Sequence, residues 1–397
     1  MMLDFNRLVS DRCRSVDASG IRKVFELAAS LKNPCDLSIG QPHFDVPDAI
    51  KASAIRAIQE GRNGYTMTQG IPALRQAIVD RLHAELGWNI NLKPGPAATP
   101  EELGVAVTSG TSGGLFLSFL AFAEAGDEVI LPDPFFVIYP AAAKIAGAKP
   151  VFCDTYPDFR MTAERIEPLI TAKTKFVLVN SPSNPCGTVL TEEELKDIVD
   201  LCQRKNVLLL TDEIYDEFTY AEGRVGGTAQ GRFPTPARFT DQLLLLRGFS
   251  KTYSMTGWRL GYAAGPKPIV ENIAKMQQYS YVCAPSMVQF AGAEAFKVDM
   301  TDHVAAYARK RDRVLEALTP LTEVARPAGA FYVFPKVPER LGLTATEFVK
   351  RAIENELLII PGGVFSNRDT HFRISYATTD EKLERGIGIL TRLLKGD

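Results

Sequence analysis

The chain of 397 residues is 46% hydrophobic and 23% charged, a composition typical of a globular protein with a large apolar core. This length alone predicts about two to three domains. The net charge of −2 provides no strongly basic surface, so we expect no nucleic-acid partner.

The spacing of cysteine and histidine residues indicates neither disulfides nor a metal site. The six cysteines include no Cys-x-x-Cys pair, and the four histidines form no cluster with them. We therefore expect reduced thiols and no bound metal. The first 15 residues carry charges among their apolar residues, unlike a signal peptide. The longest apolar helical stretch, residues 115–125, is too short to cross a bilayer, so we expect a cytoplasmic protein without a membrane partner.

The N-terminal part of the chain predicts an arm followed by two helices. Helical or strand patterns occur at residues 21–31, 36–39, 47–61 and 71–86. The short strand ends in a turn at Gly40, where the missing side chain could let the backbone approach a ligand or could serve the turn alone. Tyr65 lies in the loop between the two later helices, and it could pack locally or present its hydroxyl to a ligand or a second subunit.

Between residues 104 and 265, apolar strands alternate with helical patterns. The predicted strands cover residues 105–108, 128–131, 150–154, 176–180, 207–211, 243–247 and 260–264. Nearly continuous apolar strands separated by helices are typical of a mostly parallel sheet covered on both faces. We therefore predict a three-layer α/β fold around a seven-stranded, mostly parallel sheet.

The pattern changes after this region. Long helices, a strand pair at residues 331–335 and 372–376, and a C-terminal helix predict a smaller α+β domain. We predict a large domain over residues 46–285, and a small domain that combines residues 286–397 with the N-terminal arm, residues 1–45.

Lys251 follows one of the predicted core strands. In parallel sheets ligands bind at the carboxyl ends of the strands, so its position favours a functional role. Its amine could form a Schiff base with an aldehyde cofactor, and the nearby Ser250 and Arg259 could hold a phosphate. An ordinary surface lysine is the alternative.

A loop of small residues joins the first of these strands to a helix. Its members Gly110, Thr111 and Ser112 could surround an anion with backbone N–H groups and hydroxyls at the start of that helix. The loop lacks the Gly-Lys-Ser/Thr sequence of a Walker loop, and a helix cap without a ligand fits the pattern equally well.

Asn184 and Asp212 follow two further core strands. Asn184 is flanked by prolines in a turn whose rigid backbone could direct the amide toward a ring hydroxyl, although a plain turn is also possible. Asp212 could face a protonated ring nitrogen, with Tyr215 bound to the same ligand, or it could cap a turn.

Phe136 and Arg373 each have two interpretations. Phe136 could stack on a flat ring, but a core position is the usual place for phenylalanine. Arg373 alternates with apolar residues in the strand pattern at residues 372–376. It could therefore be solvated, or it could grip a carboxylate with two parallel hydrogen bonds.

Together these motifs resemble those of the pyridoxal-phosphate-dependent aminotransferases of fold type I, in the class I and II branch of aspartate, aromatic and alanine aminotransferases. The motifs, in the family's order, are Asn-Pro-x-Gly at residues 184–187, Asp-Glu-x-Tyr at 212–215 and Ser-Lys-x-Tyr-x-Met-x-Gly-x-Arg at 250–259. The resemblance implies an enzyme that moves an amino group from an L-amino acid to a 2-oxo acid by a ping-pong mechanism. It also implies a homodimer with shared active sites.

The resemblance assigns the catalytic roles to three residues. Lys251 would hold the cofactor as an aldimine and then shuttle a proton between Cα and C4′. Asp212 would keep the pyridine nitrogen protonated, and Tyr215 would bind the ring 3-oxygen together with Asn184.

The resemblance also implies how the cofactor and the substrate are held. The residues that would hold the phosphate have small, hydroxylated or cationic side chains: Gly110, Thr111, Ser112, Ser250 and Arg259. Tyr65 would reach the same phosphate from the neighbouring subunit, and Phe136 would stack on the ring. Gly40 and Arg373, with Asn184 nearby, would meet the α-carboxylate of the substrate.

Other enzymes on this scaffold also use a lysine aldimine, so a carbon–sulfur β-lyase or a cyclopropane-carboxylate synthase stays open. A transcription regulator that responds to pyridoxal phosphate is not expected, because no basic recognition helix precedes the fold. No second basic residue for a distal carboxylate can be assigned. The donor therefore stays open among aspartate, alanine, aromatic and other neutral amino acids, with 2-oxoglutarate or pyruvate as the expected acceptor.

Overall fold

The computed structural model describes residues 3, 5–17, 20, 31, 33–92, 99 and 101–396. The helix predicted at residues 21–31 therefore lies outside the described residues, apart from its last position. The strands are β1 Cys35–Asp36, β2 Leu103–Thr108, β3 Glu128–Asp133, β4 Lys149–Asp154, β5 Thr174–Asn180, β6 Leu208–Asp212, β7 Leu244–Gly248, β8 Gly261–Pro266, β9 Tyr332–Val333, β10 Leu357–Leu358, β11 Ile360–Pro361 and β12 Phe372–Ser375.

Helices connect and cover these strands. They are α1 Phe5–Leu8, α2 Asp11–Arg14, α3 Asp48–Gln59, α4 Pro72–Leu86, α5 Gly110–Phe122, α6 Ile138–Ala146, α7 Ala163–Ile166, α8 Glu192–Lys205, α9 Lys267–Gln278, α10 Ser286–Ala295, α11 Thr301–Leu318, α12 Ala345–Glu354 and α13 Asp380–Lys395. Across the described ranges, no helix combines the length and apolar character needed to cross a membrane. Within the same residues, no group of three or more His, Cys, Asp or Glu side chains is arranged to hold a metal ion.

The large sheet has seven strands in the described part of the chain, in the order β2-β8-β7-β6-β5-β3-β4. β8 runs antiparallel to both of its neighbours, β2 and β7. The other neighbouring strands are parallel. The prediction of a mostly parallel, seven-stranded α/β sheet is confirmed.

Helix α8 shows how the local sequence produces the covering layers. Thr191 and Glu194 form a reciprocal capping box at its start, and three glutamates in the first turn favour the positive end of the helix dipole. The helix ends at Asn206, whose φ of 52° is left-handed. Its apolar face is buried through Leu195, Ile198, Val199, Leu201 and Cys202.

The N-terminal arm is joined to the C-terminal part of the chain by main-chain pairing. β1 pairs in parallel with β10. The next residue, Leu37, donates to Leu358 O at 2.9 Å and accepts from Ser375 N at 2.7 Å. β12 lies between β11 and β9 in a small antiparallel sheet. The predicted division into two domains, at residues 45/46 and 285/286, stays a prediction.

The acids Asp212 and Glu213 are neighbours at the end of β6, but their partners differ. The carboxylate of Glu213, 1% exposed, accepts from Arg247 Nε at 2.9 Å and from Thr235 Oγ1 at 2.7 Å. Arg247, also 1% exposed, donates from Nη1 to Glu85 Oε2 at 2.6 Å. Glu213 is therefore satisfied within the protein, by a buried ion pair.

Replacing Arg247 with methionine should lower the free energy of unfolding by about 3–5 kcal/mol, because the buried carboxylate of Glu213 loses its cationic partner. Urea unfolding at neutral pH measures the loss. The control is Arg313→Met, which removes an ion pair with Glu384 whose side chains are 50% and 51% exposed. This control should hardly move the unfolding midpoint. Equal effects of the two substitutions would contradict the argument.

Candidate active site

A cavity of about 390 Å³ lies at the carboxyl ends of the central strands β5, β6 and β7. It brings together residues that are far apart in the sequence. The predicted site residues that line it are Gly40, Thr111, Ser112, Phe136, Asn184, Asp212, Tyr215, Ser250, Lys251, Arg259 and Arg373. Gly110 and Tyr65 are not among the lining residues.

Lys251 follows β7 and projects into this cavity. Its Nζ donates to the carbonyl oxygen of Gly40 at 2.6 Å. Burial, together with the nearby cations Arg373 and Arg259, lowers the pKa of Lys251 to about 8 against the opposing effect of Asp212. An amine with this pKa is partly uncharged near neutral pH and can act as a nucleophile, unlike an ordinary surface lysine.

Asp212 is a buried carboxylate, 3% exposed, at the tip of β6. Its Oδ2 accepts from the hydroxyl of Tyr139 at 2.9 Å, and its Oδ1 accepts from the backbone N–H of Ile214 at 3.2 Å. Burial raises its pKa to about 6, although both hydrogen bonds and Lys251 oppose the rise. No described lysine, arginine or histidine forms an ion pair with it within 4.0 Å. Asp212 thus caps its turn and also offers a negative charge to the cavity.

Asn184 is held in place by Asn180, the last residue of β5. The Asn180 side chain accepts from Asn184 N at 3.0 Å and donates to Asp212 O at 3.0 Å. The side-chain oxygen of Asn184 accepts from Arg373 Nη1 at 3.0 Å. The turn is therefore tied to β6 on one side and to Arg373 on the other.

Arg373 is 1% exposed, so the solvated alternative is wrong. Its guanidinium lies between two aromatic rings, 4.5 Å from the centroid of Tyr332 and 4.6 Å from that of Phe365. Nη2 donates to Ser38 O at 2.7 Å, whereas the buried Nε has no hydrogen-bond partner among the described residues. A fixed, buried cation with an unused donor is suited to a carboxylate.

A second positive region lies where α5 begins. Thr111 and Ser112 stand in the first turn of the helix, and the buried Oγ1 of Thr111 has no partner among the described residues. Arg259 is anchored by a bond from Nη1 to Thr256 O at 3.0 Å. Gly110 has a φ of 70°, and a Cβ there would lie 2.5 Å from Arg259 Nη2. A helix N-terminus beside an arginine forms an anion site, and Gly110 leaves the room for that arginine.

Tyr65 lies outside the cavity. It is 89% exposed, in the loop between α3 and α4. The role predicted for it, contact with a phosphate in the neighbouring subunit, stays a prediction.

Sequence reasoning did not identify eight of the lining residues, among them Tyr139, Asn180 and Tyr332. Asn180 ends a predicted strand, so its position at a carboxyl end was a usable signal. Tyr139 is the second residue of α6 and comes three positions after Phe136, a spacing that places side chains on the same side of a helical turn. Tyr332 stands in a predicted strand, but the alternation along that strand does not reveal which face meets the cavity.

The chain matches the family model described as aminotransferase class I and II over residues 32–390. The probable aspartate aminotransferase of Methanocaldococcus jannaschii is 34% identical over 398 residues, covering 98% of this chain and 100% of that protein. The aromatic-amino-acid aminotransferase 2 of Thermococcus litoralis is 33% identical, covering 98% of each chain.

A solved structure shares the fold. The aspartate aminotransferase from Thermus thermophilus with maleate has a TM-score of 0.88 at 32% identity, covering 97% of this chain and 99% of that chain. These matches confirm the resemblance that the three motifs indicated. The chain therefore belongs to the class I and II aminotransferase family.

Proposed function

We propose that the chain is a pyridoxal-phosphate-dependent aminotransferase that moves an amino group from an L-amino acid to a 2-oxo acid. The mechanism is ping-pong, with the cofactor held as an aldimine on Lys251. One observation carries the proposal: a single cavity holds an amine of lowered pKa, a buried carboxylate and two arginines.

The residues present fit this cofactor at three points. Arg259 and the first turn of α5, with the unpartnered hydroxyl of Thr111, suit a phosphate. Phe136 lines the same cavity and offers a face for the ring. Asp212, with a pKa of about 6, is mostly ionised at neutral pH and can pair with a protonated ring nitrogen. When bound, the cofactor supplies the electron sink for the carbanion formed as the Cα proton leaves.

Lys251 has two tasks in this proposal, to hold the cofactor and to move a proton between the substrate Cα and the cofactor C4′. A pKa of about 8 lets the amine accept and release that proton close to neutral pH. Asn184 and Tyr215 hold the ring 3-oxygen. The α-carboxylate of the substrate meets Arg373 and the backbone at Gly40, where the free Nε of Arg373 provides an additional donor.

The proposed enzyme is a cytoplasmic homodimer in which Tyr65 reaches the phosphate of the second copy. Support comes from exposed hydrophobic side chains near this loop. Met67 is 56% exposed and Tyr279 is 84% exposed. Gln277, in the last turn of α9, donates to Thr68 O at 2.6 Å and so ties the loop to the end of that helix. A second copy covering this surface would bury these side chains.

The deciding experiment records the absorbance of the chain after incubation with pyridoxal phosphate, then adds L-amino acids one at a time without a 2-oxo acid. Conversion of the cofactor to its pyridoxamine form is expected, and the fastest donor identifies the substrate class. A persistent cofactor band with accumulation of pyruvate and ammonia would indicate a β-lyase. No cofactor band at all would overturn the proposal.

The rate at which Lys251 captures pyridoxal phosphate should rise about tenfold between pH 6 and pH 7 and level off above pH 8, because only the uncharged amine attacks. For a lysine with the ordinary pKa of a solvent-exposed side chain, the rate would keep rising until the pH reached that much higher value. Borohydride trapping at each pH, followed by peptide mass analysis, measures the rate. Lys251→Ala should bind the cofactor without trapping, and trapping retained in that variant would contradict the assignment.

Arg373→Lys should raise KM for amino donors by roughly 10- to 100-fold, because a point charge replaces a fork of donors to the carboxylate. Steady-state kinetics with several donors measures the change. Arg311→Lys is the matched control, since Arg311 is 3% exposed and stacks on Tyr220 at 4.6 Å, outside the cavity. An unchanged KM for every donor in Arg373→Lys would argue against this role.

A further inference from the structure

We propose that Tyr332 is a positioning residue that connects the carboxylate-binding arginine to the group that holds the cofactor's ring oxygen. Its ring fixes the guanidinium of Arg373, and its hydroxyl orients the hydroxyl of Tyr215. The inference rests on the proposed function, because it assigns a role toward the cofactor and substrate named there.

The ring of Tyr332 packs against the guanidinium of Arg373. β9 and β12 are antiparallel neighbours, with Tyr332 opposite Ser375, the residue two positions after Arg373. The guanidinium lies 4.5 Å from the centroid of the Tyr332 ring, and Tyr332 is 1% exposed. A buried cation stacked on an aromatic face is held in one plane, which sets the direction of its remaining donors.

The hydroxyl of Tyr332 contacts a second residue that lines the cavity. It lies 2.8 Å from the hydroxyl of Tyr215, which is itself 2% exposed. A Cβ on Gly40 would lie 2.6 Å from the hydroxyl oxygen of Tyr332, so any side chain at position 40 would displace that hydroxyl. Gly40 also accepts the Nζ bond of Lys251 at 2.6 Å. Tyr332 thus contacts three groups of the proposed site: Tyr215, Arg373 and Gly40.

Either hydroxyl can donate in this pair, and the role proposed for Tyr215 requires Tyr332 to be the donor. Burial raises the pKa of Tyr332, and the Arg373 cation on its ring opposes that rise. Arg373 opposes the burial-driven rise in the pKa of Tyr215 as well, so the donor is assigned by the role of Tyr215 and not by the charge. When Tyr332 donates to Tyr215, the proton of Tyr215 is left for the ring 3-oxygen, and a hydroxyl that accepts a hydrogen bond is itself a stronger donor.

Tyr332→Phe keeps the ring and removes the hydroxyl. Tyr215 then donates a weaker hydrogen bond, so the ring 3-oxygen would become more basic. The proton between this oxygen and the nitrogen of Lys251 would therefore be lost at a higher pH. The expected result is an upward shift of about 0.3 pH unit in the absorbance titration of the bound cofactor. The affinity for 3-phenylpropionate, a carboxylate without an amine, should stay close to that of the unsubstituted chain.

Tyr332→Leu removes the ring as well. It should weaken the binding of 3-phenylpropionate by about threefold or more, because the guanidinium loses one of its two stacking partners. Tyr376→Phe is the matched control. Tyr376 forms a buried hydroxyl pair with Tyr220 at 3.0 Å and does not line the cavity, so its substitution should change neither measurement.

The outcomes separate this inference from the function on which it rests. An unsubstituted chain that shows no cofactor band overturns both. If the unsubstituted chain shows the cofactor band and Tyr332→Phe titrates at the same pH, the role of the hydroxyl is overturned and the proposed function stands. Unchanged carboxylate affinity in Tyr332→Leu overturns the role of the ring in the same way. A Tyr376→Phe chain that shifts as much as Tyr332→Phe would reduce the effect to general packing and overturn the inference.

Discussion

The burial of Asp212 is the constraint on which the rest of the site depends. A carboxylate removed from water loses its hydration, and the bonds from Tyr139 and the Ile214 N–H replace only part of it. Its neighbour Glu213 faces the same loss but is paired with the buried Arg247. One strand end thus carries two acids, of which one is paired with a buried arginine and the other has no ion-pair partner among the described residues.

Strand geometry separates these two acids. Successive side chains of an extended strand point to opposite faces of the sheet, and the N–H of Glu213 still bonds to Leu246 O at 2.9 Å, continuing the ladder beyond β6. Asp212 is therefore directed toward α6 and the cavity, while Glu213 is directed toward Arg247. The sheet therefore holds a buried ion pair and a cavity-lining carboxylate at adjacent positions of the chain.

The sequence was sufficient for the sheet and for the placement of Lys251, Asp212 and Asn184, because apolar runs mark strands and polar residues directly after them must share one edge. The sequence was insufficient for features that depend on packing between distant segments of the chain. The alternation around Arg373 left a solvated side chain and a carboxylate clamp equally open, whereas all four residues of β12 are buried. Tyr332 lines the cavity because the fold brings it beside Tyr215 and Arg373, and a pattern within one strand does not contain that information.

The N-terminal arm provides backbone acceptors for two cationic side chains of the cavity. The carbonyl of Ser38 accepts from Arg373, and the carbonyl of Gly40 accepts from Lys251. Ile39 and Gln41, on either side of Gly40, are also among the residues that line the cavity. Because both acceptors are backbone carbonyls, of Ser38 and Gly40, substitutions at Ile39 and Gln41 remove neither of them. Side-chain changes in this part of the arm therefore leave the anchors of both cations, Arg373 and Lys251, in place.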